Sequence, residues 1–167
     1  MDRPVSVNRT GPITLRSIKN RDRDLLYCIY ASTREDELSV LDWSRAQKEE
    51  FLRQQFEAQH AYYIEQFTNA AFDLIVLDRS PIGRLYVDRR SNEIRVIDIA
   101  LLPEYRGKGI GSRLMMTILS EARLAGLPVR IHVEQNNPAL HLYERLGFSP
   151  IEDEGVYLLM EWRPQGE

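Results

Sequence analysis

Disulfides, membrane spans and a large charge imbalance are all missing from this sequence. Cys28 is the single cysteine among 167 residues. No intramolecular disulfide framework can form, and a reducing compartment is expected. No apolar run approaches the roughly 20 residues that a membrane-spanning helix needs. The opening stretch MDRPVSVNRTG lacks the apolar core of a secretory leader, so a cytoplasmic location is expected. A net charge of -3 has the wrong sign and size for wrapping nucleic acid, so neither nucleic acid nor membrane is expected as a partner. Histidines occur only at 60, 132 and 141, without metal-ligand spacing, and no metal is expected. Repeats, low-complexity blocks and linkers are absent as well.

Apolar residues make up 43% and charged residues 28%, a globular composition. The length suits one domain over 1–167, with flanks at 1–11 and 164–167 expected to be flexible. "PITLRSI" reads as a short strand. A helix near 21–34 follows, gathering Leu25, Leu26, Ile29 and Tyr30 on one side. Cys28 falls in that helix and is expected to pack in the core. Ser44 and Gln47 make a capping box for a long helix whose stripe is Leu52, Phe56, Tyr63 and Phe67. That spacing suits a core face rather than a nucleic-acid platform. Acids at Glu35, Asp36, Glu37, Glu49, Glu50, Glu57 and Glu65 read mostly as a solvated face that would also favour a cationic ligand.

Three β-rich runs then follow, "FDLIVLD", "PIGRLYVDRR" and "EIRVIDIALL", joined by tight turns as in an antiparallel meander. Next come a glycine-rich loop, a helix ending near Gly126 and the strand "VRIHVE". A short helix after it has Asn137 as N-cap, Pro138 at its first position and Gly147 as its stop. "FSPIED" and "VYLLMEW" supply two final strands. The order is that of an α+β domain.

The loop "PEYRGKGIGSRLM" carries the strongest chemical signal. Gly107, Gly109 and Gly111 alternate with Arg106 and Lys108 where a strand gives way to a helix. Free N–H groups and the helix dipole favour an anion there, and bare glycines let a phosphate approach the amides. Ser112 adds a hydroxyl in the first turn. The P-loop pattern fails because Gly109 follows Lys108, and the dinucleotide fingerprint fails at Ser112. Glu134 nonetheless stands roughly where a ribose-binding acid would, and a nucleotide-binding protein stays as a third reading.

Arg106-x-x-Gly109-x-Gly111, preceded by "IALLPEY" and followed by an amphipathic helix, resembles the acyl-CoA signature of the GNAT superfamily of N-acyltransferases. "HVEQNNPALHLYERLGF" is similar to that family's later motif. The two cover about residues 93 to 148. The resemblance implies a single domain with a mixed, mostly antiparallel sheet of about six to seven strands flanked by about four helices. Its acyl-CoA core would span about 72–162. It further implies an N-acetyltransferase that moves an acetyl group from acetyl-CoA, its cosubstrate, directly to an amine acceptor; longer acyl groups occur in the family. A non-catalytic acyl-CoA sensor or regulatory module on the same scaffold is the alternative, and either a monomer or a homodimer would serve.

By that resemblance Arg106, Gly107, Lys108, Gly109, Ile110, Gly111 and Ser112 hold the CoA pyrophosphate. Backbone near Leu101 and Leu102 pairs with the pantetheine arm and supplies an oxyanion-type donor. Tyr143 matches the tyrosine that protonates the departing thiolate, although Leu142 and Leu146 on a neighbouring face also fit a core tyrosine. Asn137 matches a ligand-contacting asparagine counted forward from Val133, whereas counting back from Tyr143 favours Asn136. Asp98, an acid within "VIDIALL", is the expected general base, its pKa to be raised by burial. Glu93, Glu134, His132 and ordered water are the rivals, with Glu93 also readable as solvated turn polarity.

Overall fold

The structure, a computed structural model, describes residues 11–166. The chain opens with strand β1 (Ile13–Ser17), a single 3-10 turn (Asn20–Asp22) and helix α1 (Arg23–Ser32). Helices α2 (Glu35–Ser39) and α3 (Arg45–Gln66) follow, then the meander β2 (Ala71–Leu77), β3 (Ser80–Arg89) and β4 (Ile94–Leu101). A 3-10 turn (Pro103–Tyr105) leads to α4 (Ile110–Ala125), β5 (Val129–Glu134), α5 (Leu140–Arg145), β6 (Ser149–Asp153) and β7 (Tyr157–Trp162).

The seven strands form one sheet in the order β1-β2-β3-β4-β5-β7-β6. Every neighbouring pair is antiparallel except β4 and β5. That one parallel pair is short, joining Ile94, Val96 and the residue between them to Val129, Ile131 and the residue between those. Beyond it both strands run on without each other, so a wedge-shaped opening divides the sheet. A bulge in β4 lies at the start of the opening, because Val87 faces Val96 while Tyr86 faces Asp98.

Each face of the sheet has its own core. Ile110, Met115, Ile118, Leu119 and Ala122 form the buried stripe of α4 and pack on one face, with Tyr143 and Phe148 from the α5 region. α1 and α3 cover the other face, where Leu26, Tyr27, Ile29, Tyr30 and Phe56 meet Leu74 and Ala100. Ser44 and Gln47 cap α3 reciprocally, at 3.2 Å and 2.8 Å. Gly126 ends α4 in the left-handed conformation, φ 68°.

The α+β class, the meander and the mostly antiparallel sheet agree with the expectation, while several details differ. There are five helices among the described residues rather than four. The addition is α2, whose first turn is Glu35, Asp36 and Glu37, acids that suit a helix N-terminus. Cys28 is exposed, not core. The buried side of α1 is set by Leu26, Tyr27, Ile29 and Tyr30, and the helical step turns Cys28 away from it. Of the α3 stripe only Phe56 is fully buried. The helix after Asn137 starts at Leu140, not Pro138, though the Asn137 side chain still accepts from the Ala139 amide at 2.9 Å. The expected flanks fall mainly outside the described residues; Gly11 and 164–166 belong to no helix or strand.

Candidate active site

The glycine loop closes the gap between β4 and α4 by two left-handed residues, Gly107 at φ 72° and Gly109 at φ 80°. L side chains resist that conformation, which explains both glycines. A Cβ at either would have nothing within 4 Å, so their surroundings are open. Gly111 differs. It lies inside α4 at an ordinary φ, and a Cβ there would meet only Leu142 Cδ2 at 3.9 Å. The first bond closing α4 runs from the Arg113 amide to the Gly109 carbonyl, 3.1 Å. The amides of Ile110, Gly111 and Ser112 therefore have no partner within the helix and lie at its positive end.

The cations of the loop are arranged unequally. Lys108 Nζ lies 5.9 Å from the centre of the Tyr105 ring. Arg106 turns back instead: its Nε donates to the Leu101 carbonyl at 2.9 Å and its Nη2 to the Ser32 hydroxyl at 3.1 Å. Ser32 in turn donates to the Ile29 carbonyl at 2.7 Å. The Arg106 side chain thus fastens the loop to the end of α1.

Backbone groups along the opening can be sorted by their bonds. Leu102 is fully engaged, donating to the Ile82 carbonyl at 2.8 Å and accepting from the Tyr105 amide at 3.0 Å. Since the Leu102 amide points to β3, strand alternation directs the backbone of Leu101 and Ile99 toward the opening. The backbone facing the opening is therefore Ile99 and Leu101 rather than Leu101 and Leu102, with the Leu101 carbonyl already accepting from Arg106. Leu102 lacks a free group because it starts the turn into the loop.

Tyr143 is 4% exposed and packs edge-on against Phe148 at 5.8 Å. Burial pushes its phenol pKa well up and the Asp98 carboxylate adds to the rise, so the hydroxyl stays protonated. Asp98 lies just past the last β4–β5 pair, as the sequence suggested, but it is not alone there. Its Oδ2 is 2.6 Å from Nη2 of Arg84, a buried guanidinium that also donates to Gln59 Oε1 at 2.9 Å. One carboxylate oxygen of Asp98 is thus already taken by a charge-assisted hydrogen bond. Arg84 was the missed partner, because its position in "PIGRLYVDRR" gives no sign of burial.

The rival bases separate clearly. Glu93 is 4% exposed and meets Arg95 at 3.1 Å, Arg90 at 3.4 Å and Arg130 at 3.7 Å, a structural anchor rather than solvated turn polarity. His132 points away from Ile131 and Val133, is exposed, and lies 3.4 Å from Glu154. Asn137 is occupied by its turn, while Asn136 faces a cavity.

That cavity, about 520 Å³, was invisible in the sequence. It lies between α1, α2, α3 and the far end of β5, and Tyr30, Phe51 and Tyr157 supply its aromatic walls. Arg34 spans it, with Nη1 3.0 Å from Glu134 and 3.1 Å from Glu37. Burial opposes the Arg34 charge, but Glu134 and then Glu37 hold its pKa above the ordinary value. Arg34 and Glu134 are 100 residues apart in the chain, a distance no local motif can signal. Among the described residues, no helix is long and apolar enough to cross a membrane and no His, Cys, Asp or Glu group could hold a metal.

Comparison with known proteins identifies the family and the fold. Residues 33–148 match the model of the acetyltransferase (GNAT) family. The mycothiol acetyltransferase of Nocardiopsis dassonvillei is 34% identical over 82 residues, which are 48% of this chain. The chain covers only 22% of that relative's length. A Bacillus subtilis protein provisionally assigned as a ribosomal protein bS18 alanine N-acetyltransferase is 26% identical over 141 residues, 81% of this chain and 80% of its own. The fold matches that of the PaiA N-acetyltransferase of Thermoplasma acidophilum, solved in complex with coenzyme A. Its TM-score is 0.69 at 19% identity, over 92% of this chain and 99% of that one. The ribosomal-protein-S18-alanine N-acetyltransferase of Escherichia coli matches with a TM-score of 0.61 at 18% identity, over 93% and 97% of the two chains.

Proposed function

This chain belongs to the GNAT acetyltransferase family, and on that premise we propose that it transfers an acetyl group from acetyl-CoA directly to an amine. The start of α4 carries the reading. Three amides without helical partners, two left-handed glycines and open space beside them form a cradle suited to a pyrophosphate. The coenzyme A bound to the Thermoplasma relative is in keeping with that cradle.

In this mechanism the amides of Ile110, Gly111 and Ser112 take the pyrophosphate, with Lys108 beside them. The backbone edge at Ile99 and Leu101 aligns the pantetheine arm in the opening between β4 and β5. An N–H of the same edge polarises the thioester carbonyl as negative charge develops on its oxygen. The amine enters from the opposite face, by way of the cavity between α1, α3 and β5, and attacks without a covalent enzyme intermediate. Tyr143 keeps its proton until the thiolate departs and then supplies it. Asp98 stays committed to Arg84, so the proton of the incoming ammonium leaves through water in the cavity. Asn137 serves its turn, and we place no contact with CoA there. A cytoplasmic enzyme acting without a metal fits the same reading.

The test is release of free CoA from acetyl-CoA across a panel of amines, with longer acyl-CoA thioesters in parallel. Turnover with at least one amine is expected, accompanied by acetylated product. Tight acetyl-CoA binding without turnover on any small amine or peptide would turn the reading toward an acyl-CoA sensor.

A further inference from the structure

The walls of the acceptor-side cavity carry a charge pattern that narrows the substrate. Glu134 and Glu37 place two carboxylates on it against one guanidinium, Arg34. Only Nη1 of Arg34 makes both contacts, and its Cζ lies 5.7 Å from the centre of the Tyr30 ring. The cavity therefore already holds one organic cation between an aromatic face and two carboxylates, and one negative charge is left over. Tyr157 and Phe51 offer further aromatic surface for methylene groups and for a cation. Gln55, Gln135 and Asn136 bring amide oxygens that can accept N–H bonds. Glu134 lies three residues beyond the last β4–β5 pair, about 10 Å along the strand from the start of the opening. A charge bound there would sit beside the route to the thioester and not at the reacting atom.

Resting on the acetyltransferase reading, we propose that the acceptor is a small aliphatic amine with a second cationic group, held by Glu134 and Glu37 while the other amine reaches the opening. A volume of about 520 Å³ suits such a molecule. The exposed acids Glu35 and Asp36, next to Glu37 on α2, would steer it inward.

Three five-carbon probes decide the matter: 1,5-diaminopentane, 1-aminopentane and 5-aminopentanoate, titrated calorimetrically into the CoA-saturated protein. The diamine should bind about tenfold or more tightly than the monoamine, as expected for a hydrogen-bonded charge. Added salt should weaken that preference. Glu134→Gln should abolish the preference and Glu37→Gln reduce it, with circular dichroism showing each variant folded at the temperature of the titration. In acetyl transfer, the same variants should raise KM for the diamine more than they lower kcat. Equal binding of diamine and monoamine would overturn the proposal, as would a preference untouched in both variants. Tighter binding of 5-aminopentanoate would overturn it too, and would give Arg34 the recognising role. A repeat without CoA reads the cavity alone, so failure of CoA to bind would count against the acetyltransferase reading and not against this one.

Discussion

Arg106 and Ser32 are joined by a 3.1 Å hydrogen bond across 74 residues of sequence, tying the donor loop to the last turn of α1. Two residues further on, Arg34 crosses to Glu134. The chain at the end of α1 thus touches both the glycine loop and the cavity beside β5. Ser32→Ala removes the first tie while leaving the loop amides in place. Its unfolding free energy should fall by about 0.5–1.5 kcal/mol, with acetyl-CoA affinity within a few-fold of wild type. Denaturant melts and calorimetry check both halves.

Acetyl-CoA should stabilise the fold by about 2.7 kcal/mol at a hundred times its dissociation constant. ATP and NAD at equal concentration should do much less, since neither P-loop nor dinucleotide spacing is present. A thermal shift with NAD and none with acetyl-CoA would move the site to a nucleotide.

Gly109 and Gly111 should separate by experiment. Gly109→Val forces a β-branched residue to φ 80°, so stability should drop by about 1–3 kcal/mol and acetyl-CoA binding should be lost. Gly111→Ala lies inside α4 with ordinary space around its new methyl, so stability should rise by about 0.5–1 kcal/mol. Its acetyl-CoA affinity should nevertheless fall, because the methyl would stand among the free amides. Circular dichroism, thermal melts and binding isotherms on the pair distinguish strain from obstruction.

Tyr143→Phe keeps the ring against Phe148 and deletes only the hydroxyl. A thiolate leaves acceptably without help, so the low end of general acid catalysis applies, about a hundredfold in turnover. CoA binding should stay within a few-fold of wild type. Full activity would reduce Tyr143 to packing and assign the proton to water.

Asp22 gives a prediction on acid stability. Its carboxylate accepts from Arg16 twice, at 3.0 Å each, and from the Lys19 amide at 2.7 Å. The Arg16 guanidinium, despite burial, holds its pKa below the usual carboxylate range. A depressed folded pKa means the stabilisation is complete above the unfolded value and is lost as pH falls through the folded one. Asp22→Asn should lower the melting temperature at neutral pH, and the gap to wild type should close on acidification. Melts from neutral pH down to strongly acidic pH test this.

Local signals explain what could be read in advance. The Ser44–Gln47 box, the tight turns of the meander and the alternating glycines are written within a few residues of each other, and each took the expected form. The place of the glycine loop at a strand-to-helix switch was legible for the same reason. Long-range matters were not. Whether Asp98 is free depends on Arg84 in the neighbouring strand, and the Leu102 amide is spent on Ile82. Glu93 looked like turn polarity until Arg95 and Arg130 closed over it. α2 was hidden because its acids serve a helix start as well as a solvated face. The cavity needed α1, α2, α3, β5 and the start of β7, elements far apart in the chain.

The position of β7 between β5 and β6 has a consequence for the order of assembly. β2 to β4 can zip through short loops, and β1 joins β2 across the three helices between them. β5 has only a three-residue seam with β4 and otherwise depends on β7, made some thirty residues later as the last described strand. Distant pairing of this kind is slow to close. On the ribosome, the N-terminal half can therefore form while β5 waits for its main partner. The opening where acyl transfer is proposed to occur is the seam between locally and distantly paired halves of the sheet, so activity is expected only after β7 has paired with β5.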